Sequence, residues 1–103
     1  MLRTPLQRLK DTTKKKNLWL YILTLGKDQE VINEKVRSLL LEEYDFLPSV
    51  FRTKKVMTRL EGDGYISKER FKSKPAYTAT DKGREELEKG ISYLEELLEK
   101  LKK

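Results

Sequence analysis

Eleven side chains that could bind a phosphate backbone or read base edges are concentrated between residues 49 and 74 of this 103-residue chain. Guanidinium and ammonium groups bind phosphates, hydroxyls can bond phosphates or bases, and an aromatic ring can contact an apolar base edge. This clustering favours nucleic-acid contact over catalysis. The set is Ser49, Phe51, Arg52, Lys54, Lys55, Thr58, Arg59, Lys68, Arg70, Lys72 and Lys74.

The net charge of +6 is unevenly distributed. Residues 1–16 carry six basic groups and one acidic group, and residues 48–79 carry eight and three. Residues 17–47 carry three and six, and residues 80–103 carry six and seven. A clustered basic footprint is typical of proteins that neutralise a phosphate backbone. The alternative is a solvated lysine-rich surface.

Several functional classes are disfavoured by composition. Cysteine and histidine are absent, which excludes disulfides, zinc sites built on those ligands and histidine acid–base chemistry. The carboxylates lie beside Lys or Arg at helical spacing, and no glycine-rich phosphate loop is present. We therefore expect no enzymatic activity, cofactor or metal. No apolar run approaches a membrane span, so a cytoplasmic protein is expected, and the Lys- and Glu-rich composition resembles that of thermophile proteins.

Residues 48–61 predict a helix with one apolar and one cationic face. Pro48 suits a first helical turn, and Ser49 can accept hydrogen bonds from its orphan N–H groups. At 100° per residue the predicted core positions lie on one side. They are Val50, Thr53, Val56, Met57 and Leu60. The opposite side carries Phe51, Lys55, Thr58 and Arg59, flanked by Arg52 and Lys54.

A hairpin with a cationic tip is predicted after this helix. Glycines at positions 62 and 64 end the helix, and residues 65–71 and 76–80 read as strands around a turn at 72–75.

Upstream, residues 17–25 predict a buried helix, in which Trp19 and Tyr21 are core aromatics or, alternatively, a ligand platform. Residues 31–43 predict a second helix. This order indicates a mainly α fold with a small β-hairpin, the winged helix-turn-helix.

The two ends of the chain receive separate predictions. Residues 1–16 form a basic arm or short helix, with Leu2, Leu6 and Leu9 on one face, which either follows DNA or only aids solubility. Residues 17–80 form the DNA-binding domain, and residues 81–103 form a dimerisation helix capped by Thr80. That helix has apolar residues at alternating steps of four and three, the spacing of a coiled-coil stripe. These are Leu87, Ile91, Leu94, Leu98 and Leu101. The alternative is a helix folded back on its own domain.

Three stretches resemble the PadR family of transcriptional regulators in its shorter archaeal-type form. They lie at residues 17–23 (NLWLYIL), 59–66 (RLEGDGYI) and 77–87 (YTATDKGREEL), and the resemblance spans about residues 17–103. It implies a homodimer that binds pseudo-palindromic promoter DNA, usually as a repressor. Two departures bear on function. The family usually has a Gly-Tyr or Tyr-x-Tyr pair at the start of its second helix, where this chain has Gln29 to Ile32. The family also tends to carry a tyrosine in the recognition helix, at the position of Lys54.

The expected roles divide by position. Arg52 and Lys55 are predicted to reach base edges, and Lys54 and Arg59 to hold phosphates. Ser49 and Thr58 can reach either, and Phe51 contacts a thymine methyl or tucks under the wing. The wing cations at 68, 70, 72 and 74 are assigned to phosphates or the minor groove. The predicted partners are double-stranded DNA and a second copy of the chain. The alternatives are a winged helix for protein–protein interaction and RNA binding.

Overall fold

The computed structural model describes residues 3–103, which contain five α-helices and three short β-strands. The helices are α1 (Pro5–Lys16), α2 (Leu18–Leu25), α3 (Val36–Tyr44), α4 (Val50–Gly62) and α5 (Asp81–Leu101). The strands are β1 (Val31–Ile32), β2 (Ile66–Phe71) and β3 (Lys74–Ala79), arranged in the order β1-β3-β2. The predicted mainly α winged helix-turn-helix is confirmed. Within these residues, no helix is both long and apolar enough to cross a bilayer.

The core forms around α2, the most apolar segment of the chain. Leu18, Ile22 and Leu23 are fully buried, and they pack with Val36 and Leu40 of α3. The sheet contributes Tyr77, whose hydroxyl donates a 2.7 Å hydrogen bond to the Ile22 carbonyl in the interior. Leu60 of α4 and Leu87 of α5 complete the same cluster. Trp19 and Tyr21 are half-buried against the core, as the core interpretation of these aromatics expects.

The helix predicted over residues 31–43 is wrong for its first five residues. Val31 and Ile32 form strand β1, which pairs antiparallel with β3 opposite Tyr77 and Ala76. A single 3-10 turn, Asn33–Lys35, then leads into α3. Two β-branched residues favour the extended backbone, and a distant strand supplies their partners.

The first helix, α1, is longer than the predicted turn and a half. Thr4 and Gln7 form a reciprocal capping box, and Pro5 occupies the first helical position. Leu6 and Leu9 are both exposed on its surface. The predicted apolar face also included Leu2, which lies outside the described residues.

The last helix, α5, begins as predicted at Thr80, whose hydroxyl accepts a 3.0 Å hydrogen bond from the Gly83 N–H. A Cβ at Gly83 would lie 2.0 Å from the carbonyl oxygen of Tyr65, the residue before β2, so only glycine permits this close approach. Leu87 is only 3% exposed and packs in the core of its own domain. Its prediction as a dimerisation residue is therefore corrected, because its side chain is already enclosed within the protomer.

Candidate nucleic-acid interface

Helix α4 presents a cationic face to solvent because its other face is held in the core. Thr53 and Leu60 are buried, and Val56 and Met57 are half-buried beside them. The predicted outer residues Phe51, Lys55, Thr58 and Arg59 are exposed, as is Lys54, while Arg52 is half-buried. The predicted core position Val50 is wrong, since it is 50% exposed at the start of the helix, where the core no longer reaches.

The first turn of α4 is fixed by two hydrogen bonds. Ser49 is the N-cap, and its hydroxyl oxygen accepts a 3.1 Å hydrogen bond from the Arg52 N–H. Arg37 of α3 donates from Nε to the Pro48 carbonyl at 2.7 Å. Pro48 thus precedes the cap instead of opening the helix, and α4 ends at Gly62, one residue beyond the prediction. The Arg37 hydrogen bond joins α3 to the residue before the α4 cap, and no pattern in the sequence predicts it.

The wing is the hairpin of β2 and β3, closed by a turn of only two residues, Lys72 and Ser73. Both have positive φ, 53° and 65°, the backbone of a tight hairpin turn that glycine or asparagine usually supplies. Lys74 pairs with Phe71 in the register, so the predicted four-residue turn is two residues too long. Arg70 stabilises the strained turn by donating to the Ser73 carbonyl at 2.7 Å.

The predicted cations differ in how far they are engaged within the protein. Lys74 Nζ donates to Glu34 Oε1 at 2.6 Å, and Lys68 Nζ lies 3.7 Å from Glu61 Oε1. Lys72 lies over the Phe71 ring, 5.4 Å from its centroid. In residues 3–103, the α4 cations make no ion pair, so their charge faces solvent. They are Arg52, Lys54, Lys55 and Arg59.

An open groove of about 560 Å³ separates α4 from the wing. Its lining mixes both charge signs, with Glu61 and Glu69 beside Lys68 and Arg70. The groove therefore carries no dominant charge, and the positive features of this surface are its two ridges, the outer face of α4 and the tip of the wing.

The second half of α5 extends beyond the domain with an uncovered apolar face. Every residue from 91 to 103 is exposed. The α5 stripe, defined as Ile91, Leu94, Leu97, Leu98 and Leu101, ranges from 39% to 71% exposed. Its members share one side of the helix, while Glu85 and Glu96 lie on the opposite side.

Comparison with solved structures identifies the fold. A PadR-like transcription factor from Bacteroides fragilis matches with a TM-score of 0.76 and 22% identity, over 92% of this chain and 96% of that one. A PadR-family regulator from Eggerthella lenta matches with a TM-score of 0.78 and 18% identity, over 93% and 88%. Bacillus subtilis PadR in complex with operator DNA matches with a TM-score of 0.62 and 22% identity, over 72% of this chain and 46% of that one.

The similarity lies in structure and not in overall sequence. The sequence matches no protein-family model and no curated protein. The chain nevertheless has the winged-helix fold of PadR-like regulators along nearly its whole length, as the resemblance of its sequence motifs predicted.

Proposed function

We propose that this chain is a sequence-specific, double-stranded-DNA-binding transcription regulator that acts as a homodimer. Helix α4 enters the major groove, and the wing contacts the backbone or the minor groove. The observation that carries the proposal is the positive charge on the outer face of α4, where Lys54, Lys55 and Arg59 are exposed and make no ion pair within residues 3–103, on a helix whose other face packs in the core. In helix-turn-helix proteins the equivalent helix lies in the major groove of DNA.

The dimensions of the ridge suit a duplex. Helix α4 has 13 residues, about 20 Å of helix at 1.5 Å per residue, and an α-helix fits the roughly 12 Å major groove. In helix-turn-helix proteins the first residues of the recognition helix reach base edges. Here these residues include Arg52, and Lys55 follows one turn later on the exposed face. We assign both to bases, and Lys54 and Arg59 to phosphates.

The α5 stripe supports the proposed homodimer. Five aliphatic side chains exposed along one helix face are costly in water, and covering them is favourable at roughly 25 cal/mol per Å². The spacing of Ile91, Leu94, Leu98 and Leu101 is that of a helix pair. A dimer also doubles the short site one winged helix can read, and two copies of α4 about 34 Å apart would meet the same side of the duplex.

The proposed mode is repression in the cytoplasm, by occupancy of promoter DNA. Bacillus subtilis PadR, which shares this fold, has been solved with operator DNA. A dimer bound across a promoter blocks the same surface that a polymerase needs, so occupancy alone suffices for repression.

Selection from a random duplex pool, followed by gel shifts, tests the proposal. We expect enrichment of a two-fold related duplex sequence, and binding of that duplex well above the binding of single-stranded DNA or RNA of the same sequence. A preference for either single strand, or a pool that never enriches, would contradict it. Promoter fusion assays with the selected site then report whether transcription falls.

A further inference from the structure

The three phenylalanines of the chain have different surroundings. Phe46 is half-buried and packs edge-to-face on Tyr21 with ring centroids 5.0 Å apart. Phe71 is 39% exposed beneath the ammonium group of Lys72. Phe51 is 77% exposed, the most exposed large apolar side chain among the described residues, and no aromatic or cation partner holds its ring there. Its ring therefore has no packing role within the protomer.

The position of Phe51 indicates what its ring meets. It is the second residue of α4, on the outer face, and the neighbouring Arg52 N–H is fixed by the Ser49 cap. The first turn of a recognition helix is the part that reaches base edges. A phenyl ring donates and accepts no ordinary hydrogen bond, so it cannot read the polar groups of the major groove. The thymine C5-methyl is the apolar feature that a base presents there.

From this arrangement, and resting on the proposed function, we infer that Phe51 determines specificity by packing on a thymine methyl group in each half-site. Leu47 and Val50 are also exposed near the start of α4. Lys54 and Arg59 then supply affinity that is independent of sequence, while Phe51 selects thymine at one position, beside the bases assigned to Arg52 and Lys55.

Replacing thymine by deoxyuridine removes the methyl group and keeps base pairing unchanged, so it isolates this contact. Each thymine of the selected duplex is replaced in turn, in both half-sites, and affinities are measured by fluorescence anisotropy for wild type and Phe51→Ala. Burying one methyl is worth about a fourfold change in affinity. We expect a loss of roughly three- to fivefold per half-site for wild type at one position, and none for Phe51→Ala. Phe51→Leu, which keeps an apolar side chain, should retain part of the discrimination.

The outcomes separate this inference from the proposed function. A chain that enriches no duplex contradicts the proposed function itself. A chain that binds a selected duplex but tolerates deoxyuridine at every position refutes only the role of Phe51. An equal deoxyuridine penalty in wild type and Phe51→Ala also refutes it, because another residue then reads the methyl. Thermal unfolding serves as the control for folding, and the exposed ring predicts an unchanged Tm for Phe51→Ala.

Discussion

Lys74 and Glu34 form a hydrogen-bonded ion pair, 2.6 Å between Nζ and Oε1, which joins the wing to the 3-10 turn after β1. The pair spans 40 residues of sequence and places an anion beside the wing. It also engages a lysine that is predicted to contact DNA phosphates or the minor groove. The wing therefore presents less available positive charge than its composition indicates.

Glu34→Gln should strengthen DNA binding. The substitution releases Lys74 to a phosphate, and one further phosphate contact per protomer steepens the slope of log K against log salt by about 0.9 per protomer. Fluorescence anisotropy across a salt series measures this. Glu30→Gln is the matched control, since Glu30 is exposed and makes no ion pair in residues 3–103. Equal effects of the two variants would mean that binding responds to the net charge of the protein and not to the release of Lys74.

The same pair predicts a shifted titration. The hydrogen bond and charge of Lys74 lower the pKa of Glu34 below its ordinary value of 4.5. A carboxylate whose folded-state pKa is lowered stabilises the fold above its unfolded pKa, and this contribution disappears as the pH falls through the folded pKa. An NMR titration should give Glu34 a midpoint below its ordinary value of 4.5, and Lys74→Met should remove most of this lowering. A Glu34 midpoint at or above 4.5 would show that the pair does not form in solution.

Tyr77→Phe should destabilise the fold by about 0.5–1.5 kcal/mol, the usual net worth of one hydrogen bond. The Tyr77 hydroxyl is enclosed in the core, where burial raises its pKa, and it donates to the Ile22 carbonyl. That carbonyl keeps a 3.3 Å hydrogen bond from Gly26, which moderates the loss. Urea unfolding measures the change. Tyr93→Phe, on the exposed part of α5, should leave stability unchanged, and an equal loss in both variants would refute the assignment.

Arg52→Ala and Lys55→Ala should each weaken binding to the selected duplex by about 1–3 kcal/mol and relax sequence preference. Lys72→Ala should weaken specific and non-specific binding alike, because it lies at the wing tip and is assigned to the backbone. Competition binding with selected and scrambled duplexes separates the two effects. If the wing variant alters sequence preference and the helix variants do not, the assigned roles are reversed.

Leu94→Glu combined with Leu98→Glu should give a folded monomer. The two substitutions place four charges in one dimer interface, and unpaired buried charge is costly. Sedimentation should show the loss of the dimer, while circular dichroism stays unchanged because both side chains lie outside the domain core. Ser92→Glu, on the other side of α5, is the control and should remain dimeric. A double variant that stays dimeric would contradict the role of the α5 stripe.

Local patterns predicted most of the helices and both wing strands. The apolar spacing of α4, the Ser49 and Thr80 caps and the long apolar run of α2 depend on near neighbours, and all were readable from the sequence. Strand β1 is not predictable from local pattern, because Val31 and Ile32 acquire strand geometry by pairing with β3, more than 40 residues away. The two-residue turn is not predictable either, because Lys72 and Ser73 adopt a positive φ that glycine or asparagine usually supplies.

The sequence predicts which residues lie on the candidate DNA-binding surface, but it does not predict the contacts that those residues make with distant parts of the chain. Helical periodicity places Lys55 and Arg59 on the face opposite Leu60, and this required no tertiary information. The contacts of Glu34 with Lys74 and of Arg37 with the Pro48 carbonyl join distant segments, so no spacing in the sequence could reveal them. Leu87 matched the α5 stripe in spacing, and only the position of the domain core shows that it belongs inside.

The salt dependence of affinity for the selected duplex tests the central claim most directly. Each neutralised phosphate contributes about −0.9 to the slope of log K against log salt, and a dimer presenting several α4 and wing cations per protomer should give a slope of roughly −5 or steeper. The selected duplex should also remain bound at salt concentrations that release a scrambled one. A slope near zero, or equal affinity for both duplexes at every salt concentration, would contradict sequence-specific DNA binding by this surface.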